Sequence, residues 1–91
     1  MTGELTWFVY ILRCADDSLY IGETGDVERR LEKHQQGTCA YTHTRRPVAL
    51  VYTETCQTRD EALKRERQVK GWTRAKKNAL IARDLATLKK L

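Results

Sequence analysis

A small α/β fold is what this chain predicts: a single domain over residues 1–91, with a three-stranded, mostly antiparallel sheet flanked by three helices in the order ββαβαα. Three observations lead there. Two β-rich apolar runs are separated by a short turn-forming stretch, the pattern of a hairpin. Three later stretches open on a capping residue and carry apolar residues at helical spacing. At 91 residues the chain holds one shallow core and little room for a second.

The elements follow in order. "TWFVYILRC" is apolar at consecutive positions and reads as a central strand covered on both faces. "ADDS" supplies turn chemistry, since Asp and Ser bond the nearby backbone, and "LYIGE" is the returning strand. Gly25 and Asp26 end it, with Asp26 capping a helix from Val27 to Gln36 that Gly37 closes. "GTCAYTHTRRP", residues 37–47, reads as a polar, basic loop, and loops of that length are often functional. "VALVYTETC" is the third strand. Thr58 to Glu61, "TRDE", forms a capping box that opens a helix to about Lys70, stopped by Gly71. Thr73 caps the third helix, from Arg74 to beyond Asp84.

Composition narrows the partners. Lys plus Arg number 17 against 12 acids, a net charge of +5, which favours a polyanionic partner without identifying one. No run approaches the roughly 18 apolar residues of a membrane span, and the N-terminus has no secretory apolar region, so a cytoplasmic protein without a membrane partner is expected. Cys14, Cys39 and Cys56 are odd in number and form no CxxC pair, which argues against a disulfide framework and a zinc site.

Several residues break the apolar pattern. Successive helical residues turn by about 100°, so Arg30 and His34 fall beside the core-facing Val27 and Leu31, whereas Arg29 lies on the opposite side. Arg30 either snorkels along the apolar edge or serves a site. In the second helix Glu66 projects between Ala62, Leu63 and Val69. A carboxylate in that position is either ion-paired, to Arg30 or another base, or holds a divalent cation. Asn78 shares a helical side with Ile81, Leu85 and Leu88. Gly22 within a strand implies close approach of another group. Tyr10 and Tyr20 share a face of the hairpin only if its loop has odd length or a bulge, and that parity is expected here.

"FVY" followed by "YIG" resembles the paired signature of the GIY-YIG nuclease superfamily, which includes the N-terminal nuclease domain of the UvrC repair protein. The wording "YILRC…LYIG…ERRL…H…RRPV.LVY" is most similar to the short stand-alone bacterial YhbQ-like members. Spacing from the YIG tyrosine places the family's arginine on Arg30, a histidine on His34, the metal-binding glutamate on Glu66 and an asparagine on Asn78. Two departures stand out: Phe8 replaces the first glycine of the signature, and Glu23 stands where UvrC-like members carry lysine.

The resemblance implies hydrolysis of DNA phosphodiester bonds with one Mg²⁺ or Mn²⁺ held by Glu66. It implies Arg30 on the phosphate oxygens and Tyr10 as general base, its pKa drawn down by His34, Arg30 and the ion. His34 would alternatively relay the proton, Tyr20 would position water or phosphate, and Asn78 would support the set. Nucleic-acid contact is expected at Gly22, from Tyr41, His43, Arg45 and Arg46 in the 37–47 loop, and from Arg74, Lys76 and Lys77. Branched or damaged DNA, a repair role and an unspecified protein partner are the finer expectations. The competing reading is a nucleic-acid-binding module with weak or no turnover on the same fold.

Overall fold

In a computed structural model that describes residues 6–90, the hairpin forms from β1 (Trp7–Arg13) and β2 (Leu19–Thr24). α1 (Val27–Gln35) and a short α2 (Ala40–His43) lead to β3 (Ala49–Cys56). α3 (Arg59–Lys70), α4 (Arg74–Ile81) and α5 (Leu85–Lys90) complete the chain. The sheet runs β2-β1-β3 and both pairings are antiparallel. A bulge interrupts the β1–β3 register between Ile11 and Leu12.

The central place of β1 follows from its uninterrupted apolar run. Val9, Ile11 and Leu12 are fully buried, because helices cover both sides of this strand. Val9 and Ile11 pack with Ile21, Tyr52, Ala62, Val69 and Leu80, which is the face beneath α3 and α4. Tyr10 and Leu12 point the other way, among Cys14, Val48, Tyr20 and Leu31 on the α1 side. Each fully buried Val, Ile or Leu contributes about 1.5–3 kcal/mol relative to exposure.

Caps set the helix ends. The Asp26 carboxylate accepts from the Arg29 amide at 3.0 Å, and the Thr58 hydroxyl accepts from the Glu61 amide at 3.1 Å. The Glu61 carboxylate closes the box on the Gln57 amide at 3.1 Å, one residue earlier than the usual partner. Gly37, with φ of 82°, ends the α1 turn where a left-handed residue is required.

Two helical features differ from the sequence expectation. The 37–47 stretch contains α2, a single turn too short for periodicity to betray. The third expected helix is two, because Arg83 adopts φ of 56° and breaks it. The Asp84 amide bonds the Ala79 carbonyl and the Arg83 amide bonds the Leu80 carbonyl, a Schellman ending with arginine in the place usually taken by glycine. The Arg83 guanidinium donates to the Thr53 carbonyl at 3.0 Å and lies over the Tyr52 ring, which offsets the left-handed conformation. Asp84 then caps α5 through the Thr87 amide at 3.1 Å.

Candidate active site

The hairpin brings the two phenols together. Tyr10 pairs with Gly22 and Leu12 with Tyr20, so Tyr20 and Gly22 lie on the Tyr10 face of the sheet. The loop between Arg13 and Leu19 is Cys14 to Ser18, an odd length, with Asp17 at φ of 69°. Tyr10 and Tyr20 therefore lie side by side with ring centroids 6.2 Å apart and the rings tilted by 41°, as the parity expectation requires. Gly22 is a glycine because of Tyr10: a Cβ there would stand 2.5 Å from the phenol oxygen. The close approach anticipated from the glycine is that of the tyrosine itself.

α1 supplies His34 from the same side. The ring is fully buried, with Nε2 3.0 Å from the Tyr10 hydroxyl and Nδ1 2.8 Å from the Thr42 hydroxyl, also fully buried. Burial holds the imidazole below its ordinary pKa, and Arg30 adds to the effect, so His34 is neutral near pH 7. Burial likewise pushes Tyr20 up to about 12. Tyr10 moves upward as well, through burial and then the neighbouring Tyr20, with Arg30 opposing them. Among the protein's own groups, desolvation of the ring outweighs the guanidinium.

Arg30 is exposed on α1 and makes no hydrogen bond or ion pair among the described residues. It lines a cavity of about 210 Å³ together with Tyr10, Tyr20, Gly22, Glu23, Arg59, Leu63 and Glu66. The Glu66 side chain is 18% exposed, and its Oε2 is paired with Lys70, one turn along α3. The base that pairs Glu66 is thus Lys70 rather than Arg30, and Lys70 is itself half exposed. Glu23 has Oε1 3.5 Å from the Arg59 Nε, while its Oε2 is buried without a hydrogen-bond partner among the described residues.

These donors bear on the Mg²⁺ or Mn²⁺ expected here. An orphaned buried carboxylate oxygen is costly and lacks a cation or donor. Two carboxylates in one cavity give hard oxygen ligands, and Mg²⁺ at phosphate sites takes one or two carboxylates and keeps its waters. No group of three or more His, Cys, Asp or Glu suited to a metal occurs among the described residues. The donor set fits a hydrated ion on Glu66, with Glu23 nearby.

Other residues singled out in the sequence lie elsewhere. Asn78 is exposed on α4, beside the buried Ala79 and Leu80, and its Oδ1 accepts from Arg74 Nε at 3.3 Å. It does not line the cavity, and the break at Arg83 separates it from the apolar side it was expected to share with Leu85 and Leu88. In the 37–47 stretch the cations are engaged internally. Arg45 donates to the Tyr41 carbonyl at 2.6 Å and to Asp16 at 3.1 Å, and its guanidinium stacks 4.2 Å over the Tyr41 ring. Arg46 donates to the His43 and Gln35 carbonyls, both at 3.0 Å, and His43 Nδ1 is 3.0 Å from the Gly37 carbonyl oxygen. Arg74 reaches Asp17 at 3.4 Å, and the Lys76 ammonium lies over the Trp72 ring, while Lys77 is half-buried on α4.

Arg59 and Thr42 escaped the sequence reading. Arg59 sits inside the capping box, a pattern that speaks only for backbone bonding. Thr42 carries no sequence signal, because α2 is a single turn. The pattern did mark Glu23, as a departure.

Comparison with known proteins gives four matches. A family model described as the GIY-YIG catalytic domain matches residues 6–78. A UPF0213 protein of Staphylococcus aureus is 56% identical over 75 residues, covering 81% of this chain and 92% of that protein. Among solved structures, the solution NMR structure of the UPF0213 protein BH0048 from Bacillus halodurans is 42% identical with a TM-score of 0.56, covering 85% of this chain and 83% of that one. The E. faecalis protein EF2693, also solved by NMR, is 37% identical with a TM-score of 0.62, covering 94% and 93%. No described helix is long and apolar enough to cross a membrane.

Proposed function

We propose, because this chain belongs to the GIY-YIG family of nuclease domains, that it is a metal-dependent endonuclease hydrolysing DNA phosphodiester bonds. The finer parts of the proposal are a preference for branched, flapped or damaged DNA and a role in repair. One observation carries the reading: two phenols, a guanidinium with no partner among the described residues and a carboxylate, drawn from β1, β2, α1 and α3, line one cavity.

Hydrolysis needs a deprotonated water, neutralised phosphoryl oxygens and relief of charge on the leaving alkoxide. Arg30, without a hydrogen bond or ion pair among the described residues, takes the phosphate oxygens through its planar fork. Glu66 would hold a Mg²⁺ or Mn²⁺ ion, and that ion would supply positive charge against the phosphoryl oxygens. Burial raises the pKa of Tyr10, so the phenol acts as a base by passing its own proton on. Neutral His34, with Nε2 at 3.0 Å, is the acceptor at hand. Tyr20 orients the water beside Tyr10.

The test presents single-stranded, duplex, flap and four-way DNA with Mg²⁺ or Mn²⁺ to the wild type, Glu66→Ala and Arg30→Ala. Cleavage by the wild type alone is the expected result, and the ranking of substrates reads the structural preference. Cutting that survives Glu66→Ala would sink the assignment of the site. The Lys70 ammonium on Glu66 favours a second reading, a binding module without turnover, because it already offsets the charge of the carboxylate that would hold the ion. Equal binding by all three proteins with no cutting by any would select that reading.

A further inference from the structure

His34 carries a question that two hydrogen bonds answer. A neutral imidazole has one N–H donor and one acceptor nitrogen, and both nitrogens of this fully buried ring are engaged. Either Nδ1–H donates to Thr42 and Nε2 accepts from the Tyr10 hydroxyl, or both bonds are reversed. In the reversed arrangement Nε2 already bears a proton and cannot take another from Tyr10. It also leaves the Tyr10 hydroxyl proton with no protein acceptor among the described residues. The first arrangement uses every group: the Thr42 hydroxyl accepts from Nδ1–H and is free to turn its own proton elsewhere, with Cys39 three residues earlier at the start of α2.

We infer that Thr42 is a positioning residue for the reaction proposed above, holding His34 with its proton on Nδ1 so that Nε2 stays open to the proton of Tyr10. The inference rests on the nuclease reading for its catalytic half and on buried geometry for its tautomeric half. As the water oxygen bonds to phosphorus, the water's proton moves to the Tyr10 oxygen and the phenol's proton moves to His34 Nε2. The bond from phosphorus to the leaving oxygen breaks, the alkoxide takes a proton from solvent, and the imidazolium later returns its proton to solvent. Atoms and charge balance without a further reactant.

The same inference explains the 37–47 stretch. Its arginines grip carbonyls of α1 and α2: Arg46 spans Gln35 and His43, and Arg45 holds Tyr41. Those bonds fix α2, and α2 carries Thr42 to His34. The loop's basic residues thus build the support for the histidine. Titratable and charged groups near His34 are Tyr10 on β1, Tyr20 on β2, Arg30 on α1 and Cys39 at the start of α2, with Glu66 of α3 acting on both phenols.

Long-range ¹H–¹⁵N correlation spectra of the free wild type read the tautomer directly. The expected result is a proton on Nδ1 of His34. Thr42→Val, which removes only the hydroxyl, should mix or invert that signature and lower kcat by about 10- to 100-fold with KM little changed. It should also shift the acid limb of the pH–rate profile. Thr42→Ser should restore both readouts. A wild-type His34 protonated on Nε2 overturns the inference, as does a Thr42→Val protein that keeps the wild-type spectrum and rate. Should Thr42→Val fail to fold, the wild-type spectrum and the Thr42→Ser protein still decide. If the tautomer responds as expected and no protein cuts any DNA, the positioning stands and the nuclease reading falls.

Discussion

β1 presents two faces of opposite character. Toward α3 and α4, Val9 and Ile11 enter a cluster of aliphatic side chains with Tyr52, whose hydroxyl escapes to Glu54 at 2.6 Å. Toward α1, Tyr10 meets His34 and Thr42, and Thr24 is buried on the same side of β2. Apolar burial stabilises in proportion to area, whereas a buried hydrogen-bonded pair contributes about 1 kcal/mol net and costs more than that when half removed. Alternation along a single strand thus separates what holds the fold from what the fold holds in place. The α1 side still buries Leu12, Cys14 and Val48, so its distinguishing feature is the hydrogen-bonded Tyr10, His34 and Thr42 set within that packing.

Substitutions on the two faces should therefore fail in opposite ways. The largest effect is expected at the cavity: Glu66→Gln or Arg30→Ala should lower cleavage by about 10²–10³-fold while melting temperatures stay near the wild type. Their side chains line the opening and carry little of the core. Ile11→Ala should do the reverse, destabilising by about 2–5 kcal/mol in denaturant titrations with cleavage per folded molecule unchanged. A large melting loss in Arg30→Ala, or an activity loss without destabilisation in Ile11→Ala, would break the division between the faces.

Gly22→Ala tests the seam. A methyl group would meet the Tyr10 phenol at 2.5 Å, so either the ring or the edge strand must shift. The expected cost is about 1–3 kcal/mol, the range for overpacking, and the Tyr10 hydroxyl should part from His34 Nε2. A crystal structure of the variant, or loss of the His34 tautomer signature, reads that displacement. Retention of full activity and the signature would show that the phenol tolerates the move.

Acid should act on the polar face first. Burial sets His34 below its ordinary value of 6.5, so the unfolded chain takes up this proton before the folded one. The stability linked to His34 is complete above pH 6.5 and is lost as pH falls through the lowered folded value. Cleavage should fall on the same limb, since the protonated ring cannot accept from Tyr10. Melting curves between pH 7 and 5 should fall less steeply for His34→Gln than for the wild type. Parallel curves would place the acid sensitivity elsewhere.

Much of this was legible in the sequence, for physical reasons. Helical period set Arg30 beside the core stripe and Glu66 between inner residues, and strand period with an odd loop set Tyr10 beside Tyr20. Gly22 announced a close neighbour. What escaped depended on tertiary contacts. Arg83 turns left-handed without glycine because Thr53 and Tyr52 receive its side chain. Asn78 fell off the expected side when that break ended the helix. Charge in the 37–47 stretch suggested a DNA surface, yet charge alone does not distinguish a cation facing solvent from one bound to a carbonyl.

Arg46 offers the smallest and cleanest contrast on that last point. Its Nε and a terminal nitrogen donate to the His43 and Gln35 carbonyls, joining the end of α2 to the end of α1. Arg46→Ala should cost about 1 kcal/mol of stability, the net worth of such bonds near the surface. It should soften α2 and so lower cleavage modestly through Thr42. A residue that neutralises a backbone phosphate leaves a different trace: its removal flattens the log–log dependence of duplex affinity on salt by about 0.9. Arg30→Ala should show that flattening, because its guanidinium has no partner among the described residues, and Arg46→Ala should not. A flattened salt slope in Arg46→Ala would return the loop to the nucleic-acid surface and make its carbonyl bonds a resting state of the free protein.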